Sequence, residues 1–228
     1  MILFQQGVEL PVWKLTVAIT LALLADCFAP GVTRAQIAQS APDPMSISVG
    51  AAFVLPMGNL GTNDWDNGRY ATAGAAFTQR FSYTPLKSFG FFVQAAFPAF
   101  GVDATAVGND YEAIFGSATD VTGGSNEIVS WNAGVRWRGG QSWNKGLYVE
   151  GMLGSYRDKL TLEITGDTAD TTFSWEAGWG VSAGWVFPVG PAFAVDIGII
   201  MHEFQEEYFI NRWTGLRLLA VMTFGGKR

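Results

Sequence analysis

The chain has 228 residues, 49% of them hydrophobic and 14% aromatic, so one domain with a substantial core is affordable and length alone does not require a second. Only 15% of the residues are charged and the formal net charge is −6, which excludes a basic nucleic-acid-binding surface. A single cysteine, Cys27, excludes a disulfide framework.

The amino-terminal segment reads as an export signal. Lys14 precedes an uncharged apolar run over 15–25, which Asp26 ends. That run is about half of the ~20 residues a membrane-spanning helix needs. Thr33 and Ala35 suit cleavage near Gln36, with Ala38 as a second position. The reading assigns 1–35 to the signal peptide, 36–44 to a polar periplasmic linker, 45–224 to the folded domain and 225–228 to a carboxy-terminal tail. Cys27 lies in "LADC", but Asp26 occupies the place where a lipoprotein signal needs a small residue, so Cys27 is expected to leave with the signal.

From Met45 onward a period of two recurs eight times, which is the mark of strands with two unlike faces. Met45, Ile47, Val49, Ala51, Phe53 and Leu55 oppose Ser46, Ser48, Gly50 and Ala52. A second run, about 69–83, sets Phe77, Phe81 and Tyr83 against Thr78, Arg80 and Ser82, and a third runs from Phe89 to about Phe100. The fourth, 128–137, sets Trp131, Val135 and Trp137 against Asn132, Gly134 and Arg136; the fifth, about 147–156, sets Leu147, Val149 and Leu153 against Tyr148, Glu150 and Met152. The sixth, "TTFSWEAGWGVSAGWVFP" (171–188), alternates Phe173, Trp175, Trp179, Val181, Trp185 and Phe187 with Ser174, Glu176, Gly178, Gly180, Ser182 and Gly184. In the seventh, 192–203, Val195, Ile197 and Ile199 oppose Asp196 and Gly198. In the eighth, 213–224, Leu216, Leu218, Ala220, Met222 and Phe224 oppose Gly215, Arg217 and Thr223.

The face opposite the bulky one decides the solvent. A soluble sandwich would show water Lys, Glu, Thr and Arg there; this chain shows mostly Gly, Ser and Ala. Small residues belong in the interior of an eight-stranded barrel, which is barely wide enough for its own side chains. The aromatic and aliphatic face then meets hydrocarbon, where a closed barrel is the only sheet that leaves no edge unpaired. Connections at about 56–68, 101–127, 157–171 and 204–212 are long and polar; those at 84–88, 138–146 and 188–191 are shorter, as in transmembrane barrels. With the amino terminus in the periplasm, the long loops face outward. Tyr83, Phe89, Trp137, Phe187, Phe193 and Phe224 near the turns, with Phe173, Trp175 and Trp213 near the loops, suit interfacial belts.

The expected fold is therefore all-β, an eight-stranded antiparallel up-and-down transmembrane barrel behind a signal peptide. Over Met45–Phe224 the sequence resembles the small outer-membrane barrels of the OmpA/OmpX type and the OmpW-like porin superfamily. The resemblance implies residence in the outer membrane of a Gram-negative bacterium, contact with its lipid and lipopolysaccharide, and a last strand read by the outer-membrane assembly machinery. The residues that match such a signal are Leu218, Ala220, Met222 and Phe224, although "GGKR" follows them. No wall-binding domain is expected after Phe224.

Six lumen-facing charges are the candidate site: Arg80, Arg136 and Arg217 against Glu150, Glu176 and Asp196. Unpaired buried charge is costly, so an internal network is expected, acting as a plug rather than a gate. His202, the only histidine, is read as a rim residue without a role, since no nucleophile follows it at the spacing of the outer-membrane lipid A deacylases. The acidic loop 101–127 matches no regular calcium site. No cofactor, metal or catalytic residue is expected. The function expected is a structural anchor whose loops 101–127 and 157–171 meet a surface ligand. The alternatives are a narrow channel for small or apolar solutes, in which Arg136 or Glu176 would alter conductance, and a lipid A-modifying enzyme using His202.

Overall fold

A computed structural model describes residues 45–63, 68–86, 88–116, 120–139, 145–190, 192–206 and 209–224. The signal, linker and tail readings, with Cys27, lie outside them.

Among the described residues nine strands run in chain order: β1 (Met45–Gly58), β2 (Ala71–Tyr83), β3 (Phe89–Val102), β4 (Val121–Gly139), β5 (Gly146–Ile164), β6 (Asp167–Thr172), β7 (Glu176–Pro188), β8 (Phe193–Glu206) and β9 (Phe209–Phe224). One helix, α1 (Ala104–Phe115), stands between β3 and β4. Each barrel strand pairs antiparallel with its neighbours, β9 returns to β1, and β4 pairs with β5. Eight strands close the barrel, as the alternation requires, and β6 lies outside it, paired with β5 alone.

The register sets the barrel's shape. Cross-strand partners lead from Ser48 through Arg80, Gln94, Asn132, Gly154, Gly178, Phe204 and Asn211 back to β1 at Gly58. One circuit thus climbs ten residues along β1, from 48 to 58. At about 3.3 Å per residue and about 4.8 Å between strands, that stagger tilts the eight strands by roughly 40°.

The two faces differ as hydrocarbon outside and a filled lumen demand. Leu153 is 70% exposed, Ile199 64% and Trp131 59%, with Phe53, Phe91, Leu216 and Leu218 also open on the outer face. Leaving such side chains in water would forgo about 1.5–3 kcal/mol each; in acyl chains they are already solvated. No helix is long and apolar enough to cross a membrane among the described residues.

The connections are less loop-like than their polarity suggests. The segment 101–127 holds α1, with the side chain of Asp103 accepting from the Ala106 N–H at 3.0 Å and Gly116 ending it at φ 69°. The segment 157–171 continues β5 to Ile164 and returns as β6, and 204–212 is mostly strand. These strand parts still bury Asp158, Phe204 and Asn211, while β6 and the end of β5 rise beyond the apolar band, where nothing makes their faces unlike. Trp213, expected in a belt, is fully buried in the lumen, because it shares the inward parity of Gly215 and Arg217.

Candidate functional site

The lumen is filled in two layers. Toward the loops, Val54, Phe100, Ile128, Tyr156, Ile200, Phe204 and Trp213 form an apolar plug, and Leu60, just after β1, joins it. Toward the turns lies a layer of charge.

Glu150, at the centre of that layer, is buried and accepts from four side chains. Arg80 donates through Nη1 at 2.5 Å and Nη2 at 3.1 Å, and Arg217 through Nη2 at 3.2 Å. Arg136 Nε and Ser182 Oγ donate to it as well. Arg136 Nη2 bridges to Asp196 at 2.7 Å, and the Tyr148 hydroxyl donates to the same carboxylate at 2.5 Å. Arg217 Nη2 also donates to Tyr148 Oη at 2.9 Å, and Arg80 to Gln94 Oε1 at 2.6 Å through Nη2. The Arg136 guanidinium lies 3.9 Å from the Tyr148 ring centroid, and that of Arg80 4.1 Å from the Phe92 ring.

Small residues make the room. A Cβ on either Gly184 or Gly198 would come within 2.4 Å of Tyr148 Oη, so the facing wall must be glycine where Tyr148 crosses the lumen.

Five of the six charges singled out in the sequence meet here: Arg80, Arg136, Glu150, Asp196 and Arg217. Glu176 does not. It is the first residue of β7, at the loop end, and accepts from Ser174 Oγ at 2.5 Å. Sequence reasoning passed over Tyr148, Gln94 and Ser182, which share the inward parity, and Arg138, one alternation beyond the point where the fourth run was ended. His202 is a core residue, not a rim one. It is 0% exposed, its ring stacks 4.2 Å from that of Trp213, and its Nδ1 lies 2.7 Å from the Tyr156 hydroxyl. Tyr156 also donates to Asn132 Oδ1 at 2.6 Å. Leu218, Ala220, Met222 and Phe224 all face outward on β9, where Phe224 pairs with Met45. Among the described residues no group of His, Cys, Asp and Glu could hold a metal ion.

At the loop end, β4, β5 and β6 extend the wall into a three-stranded sheet. Lys159 pairs with Asp170 at 2.7 Å across β5 and β6. The lysine draws the Asp170 carboxyl below its ordinary range, and Asp170 raises Lys159 in return. Tyr70 Oη donates to Asp110 of α1 at 2.7 Å, which ties the helix to the start of β2. Ile114 and Phe115 remain exposed.

A closed eight-stranded barrel with an apolar outer wall and a charged, filled lumen defines a small transmembrane β-barrel of the outer-membrane type. No family model and no curated protein sequence matches this chain. Solved structures share its fold. Ail, the attachment invasion locus protein of Yersinia pestis, crystallised with the heparin analogue sucrose octasulfate, matches at a TM-score of 0.50 and 15% identity, over 80% of this chain and 100% of that one. Neisserial surface protein A matches at 0.50 and 14%, over 81% of this chain and 100% of that one.

Proposed function

We propose that this chain is an outer-membrane barrel that serves as an anchor for a surface-interaction scaffold, its loop end facing outward. The observation that carries this reading is the sheet β4–β5–β6, whose outermost strand has a free edge. Every residue of β6 is exposed, and among the described residues no strand pairs with its second row of backbone N–H and C=O groups. Such an edge accepts an extended segment of another chain by strand addition. Asp170 is offset by Lys159, but Glu163 and Asp167 of the β5–β6 hairpin, with Asp120 joined to it where its carbonyl accepts from the Thr165 N–H at 3.0 Å, make this region acidic. The partner it suits is a cationic extended peptide. A polysulfated sugar, of the kind bound in the Ail crystal, does not suit this charge.

The test displays the full chain on cells and measures binding of a lysine-rich strand-forming peptide. Replacing Leu162–Ala169 by an Asn-Gly turn leaves the Thr161–Asp170 pair flanking a two-residue hairpin and removes most of the edge. Loss of peptide binding with the barrel still assembled supports the reading; undiminished binding overturns it. Two features favour a scaffold over a conduit or an enzyme. The lumen is filled by the ion network and the aromatic plug, and His202 is sealed between Trp213 and Tyr156, out of reach of lipid.

A further inference from the structure

The lumen carries more positive charge than its carboxylates neutralise. Among the described residues four guanidinium groups, Arg80, Arg136, Arg138 and Arg217, share it with two carboxylates, Glu150 and Asp196. The buried Asp158 lies toward the loops, 3.7 Å from Arg69, and belongs to that pair. Arg80, Arg136 and Arg217 hold the carboxylates between them. Arg138 does not share them. It is 6% exposed, and its Nε and Nη1 have no partner, as have the Nε and Nη1 of Arg217. A buried cation with free donors is among the costliest arrangements a fold can keep.

Arg138 lies nearest the turns. At that end the inward side chains of β1, of the residue after β2 and of β9 are Ser46, Thr84 and Thr223, all buried hydroxyls, with Val186 and Ala194 as the apolar lining. Ser46 is the register partner of Thr223. Thr223 Oγ1 donates to the Ala192 carbonyl at 3.2 Å, which leaves the Ser46 and Thr84 hydroxyls. We propose that the turn end of the lumen binds a phosphate-like oxyanion, with the Arg138 guanidinium as its charged receptor and the Ser46 and Thr84 hydroxyls as further donors. A planar fork of N–H groups fits a tetrahedral oxyanion in bidentate fashion, and the anion removes the excess charge that the carboxylates leave. Entry is from the turn end, since the aromatic plug fills the other. The same chemistry is offered by free phosphate and by a phospholipid headgroup at the barrel rim.

The test is a titration of the full chain, refolded in non-ionic micelles, with inorganic phosphate, read by the urea midpoint of unfolding against sodium chloride at matched ionic strength. A saturable rise of the midpoint with phosphate, absent with chloride, is expected. R138Q should raise the apparent Kd for phosphate at least tenfold, while in phosphate-free buffer its midpoint equals or exceeds that of the parent. R138K, which keeps the charge but not the fork, should bind phosphate more weakly than the parent and more tightly than R138Q. If R138Q fails to assemble, the R138K titration decides. Repeating the titration in micelles doped with phosphatidylglycerol separates the sources: prior saturation by the lipid assigns the site to a headgroup, and an unaltered titration assigns it to the free anion. A parent chain that answers phosphate no more than chloride, or an R138Q or R138K chain that binds phosphate as tightly as the parent, overturns the proposal.

Discussion

Glu150 accepts from Arg80, Arg136, Arg217 and Ser182 at once, so its removal takes a carboxylate from three guanidinium groups and leaves Arg80 with Gln94 alone. Breaking a buried ion pair by deleting one partner costs about 3–5 kcal/mol. Glu150→Gln is therefore expected to lower the unfolding free energy by about that much, read from urea titrations in micelles; a loss below about 1 kcal/mol would show that water enters the layer. Gly198→Ala tests packing at the same level. The new Cβ would lie 2.4 Å from Tyr148 Oη and 2.9 Å from the Ala183 carbonyl oxygen. Overpacking of this kind costs about 1–3 kcal/mol, and near-ultraviolet dichroism should report a displaced Tyr148. Parity along the strands already pointed Arg80, Arg136, Glu150, Asp196 and Arg217 inward. It could not exclude Glu176, because parity says which face a residue takes and not how high along the barrel it sits.

At the scale of elements, the β5–β6 hairpin stands on turn chemistry and one exposed ion pair, where the barrel strands stand on lipid and lumen packing. Gly166, at φ 84°, makes the turn possible. Asp170 is held below its ordinary range, so its contribution is present above the unfolded value of about 4 and fades as pH falls through the lower folded one. Lys159 is raised, so its contribution is complete below about 10.4 and fades as pH rises beyond it. Protection of the β6 amides, the exchange rate taken relative to that of an unstructured chain at the same pH, should thus be greatest between about pH 4 and 10 and should fall in acid and in high salt. Protection indifferent to both would show that the backbone ladder alone holds the hairpin. Neither this hairpin nor α1 was legible in the sequence. Beyond Asp158 neither face of β5 is fully buried, and the charges Arg157, Lys159 and Glu163 break the apolar alternation that reveals the strand below.

At the scale of the molecule, closure is the property on which everything else depends. Through-barrel pairing from β1 to β9 predicts that unboiled protein migrates differently from boiled protein on electrophoresis and is recovered with the outer membrane; a soluble protein without a heat-dependent shift would reverse the assignment of the two faces. A filled lumen also predicts no single-channel current in planar bilayers. Steady conductance would show that the ion layer opens.

The sequence by itself determined the eight strands, the face each turns to lipid, and the inward parity of five charges that meet, because a period of two is local and lipid on one side writes it into every strand. Only the tertiary structure decided the heights. A stagger of ten residues per circuit sets which inward residues become neighbours across strands that are far apart in the chain. That is why Tyr148 reaches Asp196, why His202 lies under Trp213 instead of at the rim, and why Arg138 is left without a carboxylate.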